Sequence, residues 1–453
     1  MDESRLPVFS AEVFIIPMEE GKYIVYAPLR KAAFAANMDT VNFLADLKDG
    51  IYNSGSDPDG SIIEFLRRLE IIDSGEENPP LYLCEGDPQP TTVSLFLTTA
   101  CNLRCDYCYA SAGETTREKM PMHVARHGID FVISNALKLQ SDHIEINYHG
   151  GGEPTMHWSG LTRSFEYARR KAEANQLTVR ASTATNGLLN DKQIDWIIAN
   201  LQGVSLSFDG LPEAQDKHRI TPAGKGSAEK VIQTIRRFDE AGFNYGIRMT
   251  ATADLISLMP DSIDFIYSNF KVAAVQIEPA FKLGRYADQM PTETEDFLAA
   301  YRESKRRAAK YGKDIAYSGA RIDYLGNHFC ATSQDSFALL PDGTVSSCFE
   351  ACSHSSPLVD FFFYGKQDEK GEHHFNLDKL GFLRHQAVQF REHCRGCFAK
   401  WTCAGDCLYK AMNVNGAGEF AGTTRCHINR ELTKDLIIDK IIEAGGICWH
   451  EMR

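Results

Sequence analysis

The loop Cys101-Asn-Leu-Arg-Cys105-Asp-Tyr-Cys108 directly follows TVSLFLT (92–98), an apolar run that predicts a buried β-strand. Three cysteines at this C-x3-C-x2-C spacing can supply thiolates to three irons of a [4Fe–4S] cube, because such clusters are held by cysteine. The fourth iron then stays open to a substrate or a cofactor. A structural zinc site needs four ligands and a closed shell, so zinc and unligated thiols remain as the alternatives for this loop.

The strand before this loop is the first of six that alternate with helices. Apolar runs predict strands at 92–98, 143–149, 178–184, 203–209, 245–251 and 273–279, with helices near 122–139, 158–174, 190–200, 226–241 and 258–268. Repeated alternation implies parallel strands with right-handed crossovers, hence an α/β fold. Six strands are too few for the common eight-stranded barrel, so we predict a partial (β/α)6 barrel with ligands at the carboxyl ends of its strands. The nearly continuous apolar runs also predict that both faces of the sheet are covered.

The composition is that of a globular protein without the marks of a nucleic-acid or membrane partner. The 453 residues are 43% hydrophobic and 24% charged, with a net charge of −13. An acidic chain disfavours nucleic acid, whose phosphates need clustered Lys and Arg. We find no apolar run long enough to span a membrane and no signal peptide in MDESRLPVFS (1–10), and therefore expect a cytoplasmic protein. Because disulfides rarely persist there, the clusters among the thirteen cysteines indicate metal binding.

The three-cysteine loop, with an aromatic residue, Tyr107, before its last cysteine, resembles the signature of the radical S-adenosylmethionine superfamily. The resemblance implies that the amine and carboxylate of S-adenosylmethionine chelate the open iron. Reduction by a donor such as flavodoxin or ferredoxin then gives a 5′-deoxyadenosyl radical, which abstracts a hydrogen atom from the substrate. In that chemistry the protein supplies placement and electrons, and the cofactor supplies the radical.

Further motifs resemble the contacts of this family to S-adenosylmethionine, in the order that the family shows. Gly151-Gly152-Glu153-Pro154 after the second strand resembles the GGEP motif, whose turn lets the backbone approach the methionine amine while Glu153 pairs with it. The segments at the later strands supply the other candidate contacts, which are Thr185, Asn186, Ser205, Ser207, Asp209, Arg248 and Glu278. Ordinary strand-end turns, and for Arg248 a salt bridge inside the barrel, remain the alternatives.

A second cysteine pattern lies in the last third of the sequence and resembles the SPASM extension of radical enzymes that modify peptides and proteins. Its members are Cys330, Gly343, Cys348, Cys394, Cys397, Cys403, Cys407 and Cys426. The resemblance implies a distal auxiliary [4Fe–4S] cluster held by Cys394, Cys397, Cys403 and Cys426. It also implies a nearer one held by Cys330, Cys348 and Cys407, which brings the total to three [4Fe–4S] clusters.

The nearer cluster has only three assigned ligands. Cys352 or His328 is a candidate for the fourth, or the site stays open and its iron binds a substrate thiolate. A zinc knuckle is the alternative for the C-x2-C pair at Cys394 and Cys397. Cys84 and Cys448 belong to neither cluster, and we assign both to packing.

Residues 1–85 predict a separate α+β module. Short strands at 12–17, 22–28 and 31–37 precede two helices, from Asp39 and after Gly60, and a linker rich in Pro and acids follows at 75–90. This order resembles the RiPP recognition element, a winged-helix-like domain that binds the leader of a ribosomally made precursor peptide. The resemblance implies that the leader pairs with an exposed strand edge, KAAFAAN (31–37), and a structural cap is the alternative. The barrel then occupies 86–320 and a Cys-rich iron–sulfur domain 321–453.

Together the resemblances imply a maturase of a ribosomally made peptide. A leader docks on the first module, the radical removes a hydrogen from the core peptide, and a thioether or carbon–carbon cross-link closes while an auxiliary cluster accepts the remaining electron. A formylglycine-generating sulfatase maturase is the first alternative, weakened because Phe349 stands where those relatives carry an acid. A peptide decarboxylase or epimerase and, outside catalysis, an iron–sulfur electron carrier or peptide-binding protein remain open. The candidates for a general base are Glu350, Asp209, Glu278 and His149.

Overall fold

The computed structural model describes residues 7–9, 12–51, 57, 60–75, 79, 83–114, 116–355 and 358–451, with residue 333 described for its backbone only. Parts of the predicted linker and of the segment MDESRLPVFS therefore lie outside the described residues. Two sheets organise the chain: a four-stranded antiparallel sheet and an eleven-stranded sheet built on parallel strands. None of the described helices is both long and apolar enough to cross a membrane.

The first sheet contains three strands and two helices at the predicted positions. They are β1 (Phe14–Pro17), β2 (Tyr23–Ala27), β3 (Ala32–Ala36), α1 (Met38–Lys48) and α2 (Ser61–Arg68). The side chain of Asn37 starts α1 by accepting a hydrogen bond from the backbone of Thr40 at 2.9 Å, because the first N–H groups of a helix have no partner inside it. Both helices bury an apolar face on the strands, around Phe34, Leu44 and Leu66.

Seven parallel strands form the centre of the large sheet and pair in chain order. The elements are β4 (Thr92–Leu95), α3 (Met122–Lys138), β5 (His143–Tyr148), α4 (Trp158–Ala174), β6 (Thr178–Thr185), α5 (Asp191–Asn200), β7 (Gly203–Ser207), α6 (Pro212–His218), α7 (Ala228–Glu240), β8 (Tyr245–Ala251), α8 (Met259–Asn269), β9 (Val275–Pro279), α9 (Thr294–Ala309) and β10 (Ile315–Ala316). Each strand lies beside its predecessor, which is the arrangement that right-handed crossovers produce. The predicted α/β class with a large parallel sheet is therefore confirmed.

The two faces of these parallel strands differ in polarity. Side chains that pack against the helices, such as Ile144, Leu206 and Ile247, are buried. They alternate with less buried, mostly polar residues on the inner face, because successive side chains of a strand point to opposite sides. The prediction that both faces are covered is therefore wrong for β5, β7 and β8, whose inner face forms a polar, partly open lumen, but it holds for β4, where Val93, Ser94 and Leu95 are all buried.

The large sheet continues beyond the six predicted strands. In addition to β10, β11 (Ala338–Leu339) pairs with β4 in parallel, and β12 (Thr344–Ser346), β13 (Phe363–Gln367) and β14 (His373–Phe375) extend the sheet antiparallel. The cysteine-rich region is thus built onto the barrel sheet itself. The edges of the sheet are β10 and β14, so the sheet is open within the described residues.

The last elements return the chain to the first sheet. The helices are α10 (Val359–Phe362), α11 (Leu377–Arg384), α12 (Lys400–Cys403), α13 (Leu408–Asn415) and α14 (Arg425–Glu443), followed by β15 (Cys448–His450). β15 pairs antiparallel with β3. The strand KAAFAAN therefore has no exposed edge, which contradicts the edge predicted for leader docking, and the first sheet is not formed by residues 1–85 alone.

Candidate functional site

The three-cysteine loop lies at the carboxyl end of β4, at the mouth of the lumen. Cys101, Cys105 and Cys108 are partly buried there. Burial, followed by the charge of Glu153, raises the pKa of Cys101 to about 12, and burial raises the pKa of Cys105 to about 11. Because these two pKa values lie well above 7, the thiols of Cys101 and Cys105 stay protonated at neutral pH until a metal, which binds the thiolate form, displaces the protons. The loop fits a centre with three protein ligands.

Two arginines hold the backbone of this loop. The guanidinium of Arg104 donates a hydrogen bond of 3.0 Å to the carbonyl of Cys101, and that of Arg285 donates one of 2.7 Å to the carbonyl of Cys105. An ion pair also joins Arg285 to Glu114. Neither arginine was among the predicted site residues, and the position of Arg104 inside the motif was the only available signal.

Tyr107 belongs to a buried charged network. Its hydroxyl donates to Asp209, and Arg219 donates to the same carboxylate at 2.9 and 3.1 Å while lying 5.0 Å from the centre of the tyrosine ring. The backbone N–H of Thr250 adds a further hydrogen bond to Asp209 at 3.1 Å. A carboxylate surrounded by four donors does not fit the predicted roles of cofactor contact and general base. Asp209 instead positions Tyr107 and, through it, the cysteine loop.

Glu153 of the GGEP motif also has a different environment from the predicted one. Its carboxylate is buried and accepts hydrogen bonds of 2.8 Å from the Thr185 hydroxyl, 2.8 Å from the Asn186 backbone and 2.7 Å from the Thr155 hydroxyl. Burial raises the pKa of Glu153, against the effect of these bonds. Glu153 thus joins the ends of β5 and β6, and its carboxylate is already engaged by three donors.

The glycine pair of the GGEP motif packs directly on the cysteine loop. A Cβ on Gly152 would lie 2.3 Å from the carbonyl oxygen of Ala100, so only glycine permits this approach. Next to it, the side chain of Asn186 donates to Asn102 at 2.7 Å and lies 3.8 Å from the sulfur of Cys101. The turn at Gly151-Gly152, Asn186 and the cysteine loop therefore form one continuous surface, which fits a cofactor bound across them.

The other predicted cofactor contacts lie on the inner face of the sheet. Ser205 and Ser207 are partly buried there, and Ser207 pairs in register with Arg248, whose exposed cation can meet a carboxylate in the lumen. Glu278 differs, because its carboxylate forms an ion pair of 3.3 Å with the buried Arg425. Burial alone would raise the pKa of Glu278, but the charges of Arg425 and Lys410 and the hydrogen bonds to its carboxylate together lower that pKa. Glu278 is therefore committed to Arg425 and does not fit the predicted contact or base.

His149 lies where the lumen meets the cysteine-rich region. The centre of its ring is 4.6 Å from that of Phe349 and 6.0 Å from that of Phe96. Burial, followed by the charge of Arg248, lowers the pKa of His149 to about 4. The imidazole is therefore neutral at pH 7, and its Nδ1 is buried without a hydrogen-bond partner among the described residues.

The lowered pKa of His149 predicts a pH dependence of folding stability. The ordinary histidine pKa of the unfolded chain is higher, so the unfolded chain takes up the proton first and stability is lost as pH falls from about 6.5 toward 4. Between pH 7 and pH 5 the parent should lose about 2 kcal/mol more stability than a His149→Phe variant, at 1.36 kcal/mol per unit. Anaerobic urea unfolding at both pH values measures this difference, and equal losses in the two proteins would contradict the assignment.

Cys352 does not lie with the cysteines of the nearer auxiliary set. It packs beside Phe96 and Tyr109, and burial, followed by the charge of Cys108, raises its pKa to about 12. It therefore adjoins the first cysteine loop. His328 is no substitute, because both of its ring nitrogens hydrogen-bond inside the protein, at 3.0 and 3.1 Å. Neither predicted candidate completes the ligand set of the nearer cluster.

The remaining predicted cysteine ligands divide into two sets. Burial raises the pKa of several of these thiols, and the charges of neighbouring thiols add to the rise. The thiols that affect one another in this way form one set of Cys330, Cys348 and Cys407 and a second set of Cys394, Cys397, Cys403 and Cys426. Within the described chain, no three of these sulfurs lie within 4.8 Å of one another. Four thiolates at 2.3 Å from one zinc would be only about 3.8 Å apart. As placed, neither set is closed around a single zinc ion.

Glu350 and Lys410 form a charged pair next to the nearer set. The Lys410 Nζ lies 3.4 Å from Glu350 Oε1, and Glu350 Oε2 is buried without a hydrogen-bond partner among the described residues. Although burial alone would lower the pKa of Lys410, the charges of Glu350, Cys407 and Glu278 together raise it. The pair thus presents a buried carboxylate oxygen whose hydrogen-bonding capacity is unused among the described residues. Lys410 was not among the predicted site residues, because its position three residues after Cys407 was the only signal in the sequence.

Residues 95–264 match the family profile described as the radical SAM superfamily. This span holds the cysteine loop, the GGEP turn and the inner-face residues of β5 to β8. The chain therefore contains a radical SAM domain, a family that implies a [4Fe–4S] cluster and S-adenosylmethionine, and the residues gathered at the mouth of the lumen fit both.

Several curated proteins are similar to this chain in sequence. A serine-type anaerobic sulfatase-maturating enzyme of Bacteroides thetaiotaomicron is 28% identical over 347 residues, which cover 70% of this chain and 82% of that protein. Other curated relatives are matched over 41% and 45% of their length, so this chain spans less than half of them.

Two solved structures share the fold. The structure described as native anSMEcpe with bound AdoMet is 17% identical with a TM-score of 0.62, covering 78% of this chain and 98% of that chain. The crystal structure of Streptococcus suis SuiB bound to precursor peptide SuiA is 13% identical with a TM-score of 0.50, covering 93% and 99%.

Proposed function

We propose that this chain is a radical S-adenosylmethionine enzyme that modifies a ribosomally made peptide by closing a thioether or carbon–carbon cross-link. The observation that carries the proposal is the meeting of two regions at one lumen. The cysteine loop and Gly151 form one wall, and Phe349, Glu350 and Cys352 of the cysteine-rich region adjoin it. A peptide side chain held in this lumen would contact both a radical source and a charged pair.

Separate groups of residues would hold the cofactors, keep the cysteine loop in place and shape the lumen. Cys101, Cys105 and Cys108 would hold the cluster that binds S-adenosylmethionine, and Arg248 would receive the methionine carboxylate. When bound, this pair of cofactors supplies a radical that abstracts a hydrogen atom from the substrate. The network of Tyr107, Asp209 and Arg219 keeps the loop in place, and the neutral His149 with Phe349 narrows the lumen. An electron donor such as flavodoxin or ferredoxin completes the system.

The two C-terminal cysteine sets would hold auxiliary [4Fe–4S] clusters. The distal set has four cysteines and forms a closed site, whereas the nearer set of Cys330, Cys348 and Cys407 lacks a fourth. Cys330 is the exposed member of that set. An iron that keeps an open position beside Glu350 and Lys410 suits a substrate thiolate, and thioether formation is therefore the favoured outcome.

A cross-link that replaces a C–H and an S–H or second C–H bond would give one hydrogen atom to the deoxyadenosyl radical, one electron to an auxiliary cluster and one proton to a base. Glu350 is the proton acceptor in this proposal. The Glu350→Gln variant keeps the shape of the side chain but removes the basic oxygen. We expect peptide cross-linking to fall by about 10²-fold or more, while S-adenosylmethionine cleavage stays within about twofold of the parent, because a general base contributes about 10²–10⁴ to its own step.

The experiment incubates the reconstituted enzyme with peptides encoded by short reading frames beside its gene and follows the loss of two hydrogens by mass spectrometry. Glu392→Gln is the matched control, because Glu392 is exposed and its carboxylate pairs with Arg395 on the surface. Cross-linking at the parental rate in Glu350→Gln would remove Glu350 from the mechanism. S-adenosylmethionine cleavage without modification of any such peptide would overturn the proposed function.

A sulfatase maturase is the second candidate, favoured by the extent of the match to the Bacteroides protein. The residue after Cys348 is the aromatic Phe349, whose ring packs on His149 and offers no proton acceptor. Incubation with a sulfatase-derived peptide that carries Cys or Ser separates the two candidates, since only the second candidate yields formylglycine. A peptide decarboxylase or epimerase would instead show as loss of carbon dioxide or as an unchanged mass.

A further inference from the structure

The segment at 116–120 lies against the chain that leads into the cysteine loop. An antiparallel bridge pairs Lys119 with Thr98, just before the first cysteine of the loop. The imidazole of His157, which follows the GGEP turn, donates a hydrogen bond of 3.2 Å to the carbonyl of Met120. The segment therefore connects the start of the cysteine loop to the start of α4.

Cations continue from this segment over the exposed sides of α3 and α4. Burial lowers the pKa of His157, and the charges of Lys119 and Arg163 add to this effect, so both cations lie near the imidazole. Tyr167 follows Arg163 by one turn of α4, and the guanidinium of Arg126 in α3 lies 5.2 Å from the centre of its ring. These cations form one surface, here called the basic face. Its exposed members that form no ion pair among the described residues are Arg117, Lys119, Arg126, Arg163 and Arg170.

The basic face differs in sign from the chain as a whole, whose net charge is −13. Two of its carboxylates are engaged, because Asp130 accepts a hydrogen bond of 2.8 Å from the Tyr167 hydroxyl and Glu173 pairs with Arg169 at 3.5 Å. The other carboxylates of the face are Glu118 and Glu166. An acidic protein is repelled by the net charge of the chain and attracted by this face, so the face selects both the partner and its position.

We propose that the basic face is the docking surface for an acidic one-electron carrier protein, such as an acidic flavodoxin or ferredoxin. The inference rests on the proposed function, because that chemistry requires an electron at the cysteine loop. In the docked complex the carrier loses one electron and the group held at the cysteine loop gains it, while no bond forms or breaks and no proton moves. Opposite charges at the rim of such a contact act mainly on the rate of association.

The position of the basic face favours an electron carrier over the substrate peptide. The apolar sides of α3 and α4 pack on the sheet, so their exposed sides point away from the lumen. A substrate side chain has to enter the lumen, whereas a carrier only has to approach the cysteine loop from outside. The segment at 116–120 gives a carrier on this face a short route to the loop.

The test reverses two charges of the basic face in the variant R126E/R163E. Its matched control is K192E/R236E, which makes the same change of net charge at exposed positions of α5 and α7. Each anaerobically reconstituted protein receives electrons either from an acidic flavodoxin kept reduced by its reductase or from dithionite. With flavodoxin below saturation, we expect R126E/R163E to cleave S-adenosylmethionine at least about tenfold more slowly than the parent. With dithionite the two should agree within about twofold, and the control should match the parent with both reductants.

Binding gives a readout that does not depend on cleavage. In calorimetric titrations of the reconstituted proteins with oxidised flavodoxin, R126E/R163E should show a Kd at least about tenfold higher than the parent at low salt. The difference should shrink at high salt, because ions screen exposed charges. If R126E/R163E fails to fold, the neutral variant R126Q/R163Q should still bind severalfold more weakly than the parent.

Equal flavodoxin binding and equal flavodoxin-driven cleavage in R126E/R163E and the parent would overturn the inference. Equal losses in the two double variants would also overturn it, because net charge alone would then explain them. Slower peptide modification by R126E/R163E with dithionite as the electron source would assign the face to the peptide instead. A parent that binds flavodoxin but cleaves no S-adenosylmethionine with either reductant would contradict the proposed function, while a difference in binding would still support the docking surface.

Discussion

Replacement of Cys105 by alanine is expected to reduce S-adenosylmethionine cleavage to background. With three thiolates, the cysteine loop can hold three irons of a cube, and the loss of any one removes a ligand that no nearby side chain replaces. Cys352 also adjoins this loop, but it packs against Phe96 and the loop thiol whose charge acts on it is Cys108. Iron should fall by about four per chain while the other two cysteine sets keep theirs. Anaerobic reconstitution, iron analysis and an assay for 5′-deoxyadenosine measure both effects.

The matched control for this variant is Cys84→Ala. Cys84 lies outside all three cysteine sets and is partly buried, so its replacement should leave iron content and cleavage unchanged. If Cys105→Ala retained cleavage, the loop would not hold the catalytic cluster. If Cys84→Ala lost as much iron as Cys105→Ala, the loss would reflect damage to folding and not to a ligand.

Replacement of Arg219 by methionine is expected to lower the free energy of unfolding by about 3–5 kcal/mol, because it leaves the buried carboxylate of Asp209 without its counter-charge. Asp209 is only 4% exposed, and Arg219 supplies two of its hydrogen bonds. The same variant should release Tyr107 and weaken iron retention at the cysteine loop. Anaerobic urea unfolding and iron analysis measure these two results.

The Arg237→Met variant is the control for Arg219, because Arg237 pairs with Asp191 and Asp195 at the surface, where an ion pair contributes at most about 1 kcal/mol. A double variant, R219M/D209N, should recover part of the loss, since it removes the unpaired charge. An Arg219→Met protein as stable as the parent would show that Asp209 finds another partner and that the network does not hold the loop.

The elements that follow a regular apolar period were predictable from the sequence. The helix predicted at 122–139 is α3 (Met122–Lys138), and the strand predicted at 245–251 is β8 (Tyr245–Ala251). The positions of such elements are set by residues close together in the sequence, so the local apolar pattern is enough to predict them. β10, β11 and β15 have only two or three residues each, and their pairing with distant strands leaves no local period to detect.

The cysteines of the candidate site were predictable because their spacing is specific, whereas the roles of the acids were not. Glu153, Asp209 and Glu278 each occur at the expected strand end, yet each is engaged by a partner from elsewhere in the chain. For Glu278 the partner is Arg425, 147 residues away, and for Asp209 it is Arg219 on the following loop. A motif shows where a side chain lies along the sheet, but its hydrogen bonds depend on tertiary contacts.

In the proposed function, this chain carries a catalytic [4Fe–4S] cluster and two further clusters in one enzyme. Anaerobic reconstitution with iron and sulfide, followed by iron analysis and detection of 5′-deoxyadenosine after reduction with S-adenosylmethionine, tests it most directly. We expect about twelve irons per chain, as three four-iron clusters require, together with formation of 5′-deoxyadenosine. Stoichiometric zinc, or iron without cleavage of S-adenosylmethionine, would contradict the account.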